Sequence, residues 1–126
     1  MRGVLALLSA AAPLAAADAP LPGPLEAGWH GRKVCQVLFE NAELRALRCT
    51  FPPGTGHERH THPRHWGYIE QGGTMQITDA TGTRTQVLAS GTGWWSDGIA
   101  WHEARNIGDT TAVYVIVEPK GARHED

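Results

Sequence analysis

Past residue 17 the sequence shows no helical periodicity, no run of basic residues and only two cysteines, Cys35 and Cys49. It carries no G-x-S-x-G nucleophile turn, no H-E-x-x-H helix and no glycine loop leading into a helix to cradle phosphate. Gly54-Thr55-Gly56 precedes a strand pattern and does not count as one. Eleven Lys and Arg stand against thirteen Asp and Glu, a net charge of −2. Without a basic face, nucleic acid and anionic membrane surfaces are excluded as partners. Two cysteines without a C-x-x-C exclude a zinc–thiolate site.

The apolar start is short. Arg2 supplies a positive charge, Val4 to Ala16 is almost wholly apolar, and Ala15-Ala16-Ala17 offers small residues for cleavage. That pattern predicts a secretory signal peptide over residues 1–17, too short to span a bilayer and interrupted by Pro13. The mature protein is then secreted or periplasmic, with no membrane partner once the signal is removed. About 109 residues remain, enough for one core.

Residues 18–32, with three prolines and three glycines, predict an irregular arm in which Trp29 packs on the body and His30 is exposed. From residue 33 to 119 short alternating segments predict strands, with glycine at nearly every corner. Residues 34–40 and 44–51 form a hairpin, and 74–78 and 83–88 a second one around Asp79-Ala80-Thr81-Gly82. Thr111 to Glu118 (T-A-V-Y-V-I-V-E) is the most hydrophobic strand and the expected central one. Residues 120–126 are a charged tail. The class is all-β, a sandwich or closed barrel.

If the first hairpin turns about Ala42, Cys35 and Cys49 face each other across it, at a separation a disulfide can bridge. Export permits that bond; two free buried thiols are the alternative.

Histidine is what the sequence has in excess. Four of its seven lie within residues 54–73: His57, His60, His62 and His65. His60 and His62 are two apart, so on a strand both rings point to one face and converge on one metal, whereas a helix would set them about 200° apart. His102 lies in a second histidine-bearing segment, 91–106. His30, His57 and His124 read as surface residues, with His57 also able to stand in for His65.

These two segments resemble the cupin superfamily. Its first motif runs glycine, five residues, H-x-H, three or four residues, glutamate, six residues, glycine. Gly54, His60, His62 and Gly72 match, while His65 stands where the family has glutamate, after a gap one residue short. In the second motif Gly91, His102 and Asn106 fall at the family's separations, and Asp97 and Ile99 replace its proline and glycine. The resemblance covers about residues 34–119. It implies a cupin-type jelly-roll barrel (a double-stranded β-helix), usually paired as a homodimer. It also implies a metal held by His60, His62, His65 and His102, with Pro63 introducing a phase shift that turns His65 inward.

An all-imidazole site suits a divalent transition metal (Zn, Fe, Mn, Ni or Cu) and sets Mg and Ca aside. Export favours Zn or Cu over oxidisable Fe(II). Trp66, Tyr68, Trp95 and Trp101 are the expected pocket residues for a small-molecule ligand or substrate, with core filling or a dimer surface the plainer use of these tryptophans. Trp94 and Trp95, being adjacent, face opposite ways. Three functions fit: a metal enzyme with oxygenase- or isomerase-like chemistry, a non-catalytic metal or ligand binder for sensing or storage, and a structural barrel. An open coordination position facing a pocket would separate the first from the others.

Overall fold

The computed structural model describes residues 19–121; the expected signal peptide, His124 and the last five residues of the tail lie outside the described residues. Eleven strands and no helix occur among them. They are β1 (Gly28–Trp29), β2 (Arg32–Lys33), β3 (Cys35–Glu40), β4 (Leu44–Phe51), β5 (Gly56–His62), β6 (His65–Gln71), β7 (Gly73–Asp79), β8 (Gly82–Leu88), β9 (Gly93–Ser96), β10 (Ile99–Asn106) and β11 (Ala112–Pro119). One sheet runs β3-β4-β11-β6-β9, the other β5-β10-β7-β8, and β1-β2 form a small ribbon in the arm. The result is an all-β jelly roll.

β11 lies at the centre of the five-stranded sheet, paired along eight residues with β4 and on its other edge with β6. Ala112, Tyr114 and Ile116 face the core, while Val113, Val115 and Val117 alternate onto the half-buried outer face. Between the sheets Leu47, Cys49, Phe51, Met75, Ala112 and Ile116 are buried. Removing a large side chain here would cost about 2–5 kcal/mol.

Cys35 and Cys49 are opposite each other in the β3–β4 ladder and form a disulfide, Cα atoms 4.0 Å apart. The expected turn centre is displaced, however. Glu40 pairs with Arg45, so the turn is centred between Ala42 and Glu43. It is held by the Asn41 side chain, whose Oδ1 accepts the backbone N–H groups of Glu43 and Leu44 at 2.8 and 2.9 Å. A one-residue bulge at Leu38 shifts the register between Val37 and Phe39 and restores the opposition of the cysteines.

In place of a phase shift at Pro63, the histidine segment breaks into two strands in different sheets. β5 ends at His62, Pro63 and Arg64 cross between the sheets, and β6 begins at His65. Proline donates no ladder hydrogen bond, so the break falls where the sequence puts it. The alternation restarts with His65, Gly67 and Ile69 buried.

Asn106 ends β10 fully buried and fully satisfied. Its Nδ2 donates to the carbonyls of Phe51 and Thr110, each at 2.8 Å, and its Oδ1 accepts from Gly108 N–H at 3.0 Å. One amide therefore ties β4, β10 and the turn before β11 together. Gly54, at φ +81°, makes the left-handed turn into β5 that a residue with a Cβ would adopt only under strain. The arm packs along β5: Thr61 N–H donates to Pro22 O at 2.9 Å, and His30 N–H to Glu58 Oε1 at 2.9 Å. His30 is exposed and stacks on Trp29, which is half-buried.

Candidate metal centre

β5 and β10 are neighbours, with His60 directly opposite His102. His60 and His62 share the inward face of β5, so three imidazoles from two adjacent strands meet. Their Nε2 atoms form a near-equilateral triangle: His60 to His62 2.8 Å, His62 to His102 3.0 Å, His102 to His60 3.0 Å. A neutral ring nitrogen is either a donor or an acceptor, never both, so hydrogen bonds cannot close all three sides. A cation bound by three lone pairs can.

The His60 tautomer agrees. His60 Nδ1 lies 2.6 Å from Glu58 O, and donation of its N–H to that carbonyl leaves Nε2 as the lone pair. His62 Nδ1 is buried with no partner among the described residues. Burial, followed by the proximity of His60, holds the His62 imidazole far below its ordinary value and lowers His102 to about 4. His60 is lowered too, by burial, against the opposing effect of its bond to Glu58. Neutral rings are what metal ligation needs, and the donor set fits a divalent transition ion.

His65 is buried as well, and its Nδ1–H donates to Pro63 O at 2.8 Å. Its ring centre is 4.9 Å from that of His62, yet it stands outside the three-nitrogen cluster. His57, read from sequence as a surface residue, is buried instead. It stacks on His60 with ring centres 3.7 Å apart, and its Nε2–H donates to Pro24 O at 3.0 Å. Burial, then the neighbouring His60, pushes it down to about 3.

A cavity of about 180 Å³ opens beside the triad. His62, His65 and His102 lie in its wall with Arg84, Gln86, Trp94 and Tyr114, and Ile69, Ile77, Leu88, Ile99 and Ile116 supply the apolar part.

Residues 47–118 match the sequence pattern of the cupin domain (Cupin_2). The chain belongs to the cupin family. Solved cupins share its fold. A cupin domain from Bordetella pertussis is 23% identical, with TM-score 0.66, over 82% of this chain and 99% of that one. An RmlC-like cupin with a double-stranded β-helix fold from Methanocaldococcus jannaschii is 15% identical, with TM-score 0.55, over 71% and 84%. The polyketide cyclase RemF from Streptomyces resistomycificus is 17% identical, with TM-score 0.56, over 68% and 63%. No curated protein matches the chain in sequence.

The tryptophans of this cupin are arranged differently from the expectation. None of Trp66, Tyr68, Trp95 and Trp101 lines the cavity; Trp94 does. Trp66 and Trp95 are paired neighbours on the outer face, and Tyr68 stacks against Trp66 at 5.8 Å. Trp101 lies outside under the Arg59 guanidinium, 3.9 Å from its ring centre. Trp94 turns inward because Gly67, its partner on β6, has no Cβ; one there would overlap the indole. Sequence reasoning also missed Tyr114 and Arg84, which carry no histidine-like signal.

Proposed function

We propose that this cupin holds one divalent transition metal through His60, His62 and His102 and presents it to a small organic molecule in the adjoining cavity. The observation that carries this reading is the triangle of Nε2 atoms at the cavity wall. Nitrogens so closely spaced take up one side of an ion and leave its other side for a ligand. Such an open position favours a catalytic or ligand-binding centre over a saturated structural one. When bound, the metal supplies Lewis acidity toward an oxygen of the bound molecule. The chain's own residues do the rest: Glu58 O fixes the His60 tautomer, His57 backs its ring, and the apolar wall excludes water.

His65 is the fourth ligand that the motif implies, and it stands outside the triangle. With Nδ1 committed to Pro63, its Nε2 is left as an acceptor, either for the metal or for a proton of the bound molecule. The structure-independent alternative, a non-catalytic binder, differs only in whether the bound molecule is changed. The disulfide supports export to a secreted or periplasmic location, as the signal-like start suggests. A homodimer is supported by the exposed apolar row Phe39, Trp66 and Trp95, at 55%, 42% and 53% exposure.

Metal content by mass spectrometry on protein purified from its native compartment tests the reading. About one ion per chain is expected, lost in His62→Ala. A stoichiometry near zero that added Zn, Cu, Ni, Mn and Fe leave unchanged overturns it.

A further inference from the structure

No aspartate or glutamate is among the described residues that line the histidine cavity. Its polar groups are imidazoles, the Arg84 guanidinium, the Gln86 amide and the Tyr114 phenol. Resting on the metal reading above, the geometry points to a small organic mono-anion, a carboxylate or acidic enol with an apolar body, as the molecule this cavity takes.

The first reason is charge. Three neutral imidazoles leave a divalent ion with both its positive charges, in a partly enclosed space walled by isoleucines. Uncompensated charge in such surroundings is costly, and attraction to an opposite charge is strengthened there. His65 stands where a carboxylate would have been, and Asp79, beside His102 in the ladder, is already paired with Arg84 at 2.7 Å, so no unpaired carboxylate among the described lining residues offsets the metal. The ligand has to bring one.

The second reason is the placing of donors. β8 pairs with β7 in unbroken register, and Arg84, Gln86 and Leu88 line the cavity, with the Arg84 side chain 51% exposed. Arg84 Nη1 is anchored on Asp79 Oδ2 at 2.7 Å, and among the described residues its other guanidinium nitrogens make no bond. The guanidinium is thus held at the open side with donors to spare. Across the cavity Tyr114 touches Phe51 and Trp94 by its ring but makes no hydrogen bond among the described residues. Burial raises its phenol well above the ordinary range, so it stays a donor without an acceptor. Guanidinium and phenol both donate to oxygen anions.

The third reason is size and lining. The cavity measures about 180 Å³, and a dry apolar cavity of about 150 Å³ accommodates benzene. An acid with a benzene-sized body fits, and the isoleucine and leucine wall suits its ring.

Titration calorimetry on the intact, zinc-loaded protein with benzoate and with benzyl alcohol, its neutral ring counterpart, tests the inference. Benzoate is expected to bind at least about 10-fold more tightly, the worth of one charge-assisted contact. Arg84→Gln and Tyr114→Phe are each expected to weaken benzoate about 3- to 10-fold, leaving benzyl alcohol binding and zinc affinity unchanged. Metal-free protein is expected to show a smaller preference, the part that Arg84 and Tyr114 supply. Equal binding of the two probes, binding of neither by protein that holds zinc, or a preference undiminished by zinc removal each overturn the inference and leave the metal reading standing. Failure to take up zinc at all overturns both.

Discussion

His57 and His60 stack face to face with ring centres 3.7 Å apart, although three residues along a regular strand would put them on opposite faces. A bulge reconciles the two. His102 pairs with His60 but Ala104 pairs with His57, so Glu58 and Arg59 together oppose the single residue Glu103 and both point outward. The extra residue brings a third imidazole of β5 behind the site, where the arm's Pro24 carbonyl anchors it.

His57 is therefore a positioning residue for His60. In His57→Ala the stack is lost and the Pro24 carbonyl loses its donor. Metal affinity, measured by competition with a chromophoric chelator, is expected to fall about 10- to 100-fold, as for other groups supporting a ligand. Stability of the metal-free protein falls by about 1–3 kcal/mol in urea titration. Full zinc affinity in a folded His57→Ala protein would show that His60 needs no support.

The ligand set is separated by a paired comparison. His62→Ala removes a member of the triangle and is expected to abolish stoichiometric binding. His65→Ala, outside the triangle, is expected to keep the ion within about 10-fold of the original affinity. A larger loss would make His65 a fourth ligand, as the motif implies, and would narrow the open side of the site.

Most of the scaffold was legible because period two is a strong signal wherever one face is buried. β4, β11 and the hairpin of β7 and β8 lie within a residue or so of their expected places, and so does the meeting of His60, His62 and His102. What was not legible depends on breaks in that period. Adjacent charged residues such as Glu58-Arg59 signal a bulge only once their neighbours are known to be buried. The inward turn of Trp94 rests on Gly67 across the ladder, a pairing that a linear reading does not supply. Tyr114 and Arg84 reach the cavity by register alone.

The acid sensitivity of the metal-free protein has a worked sign. His57 and His102 are held at about 3 and about 4, mainly by burial, and an unfolded histidine titrates near about 6.5. Below pH 6.5 the unfolded chain takes up protons that the folded one refuses, so stability is intact above about 6.5 and declines as pH falls toward about 4. Carboxylates titrate mostly below that window. Urea midpoints of chelator-treated protein are expected to drop from pH 7.5 to 6 and again to 5. A flat profile would mean that the imidazoles are charged in the folded state.

The disulfide closes a loop with a sequence separation of 14, for which loop-closure entropy predicts about 3 kcal/mol. Reduction should add two hydrogens to the intact mass and lower the thermal midpoint. Cys35→Ser/Cys49→Ser should match the reduced protein. A mass unmoved by reductant would remove the bond, and with it the structural support for export.

The outer face of the five-stranded sheet has its own pattern. Phe39, Ala46, Val117, Trp66 and Trp95 are successive partners across all five strands, from one edge of the sheet to the other. An exposed apolar row of this length marks an interface more often than a solvated surface. Beside it Arg48 and Glu70 neutralise each other at 3.0 Å, and Asp97 Oδ1 accepts from the Trp95 indole N–H at 3.2 Å. A second copy of the same face is the simplest cover, since an antiparallel approach would lay aromatic on aromatic. Trp66→Arg places a cation at the middle of that row, 42% exposed in the single chain and so harmless to its own fold. Sedimentation velocity is expected to show a dimer for the unaltered protein and a monomer for Trp66→Arg, with metal content unchanged in both. A monomer before substitution would leave the row to another partner, and a dimer after it would move the interface elsewhere on the barrel.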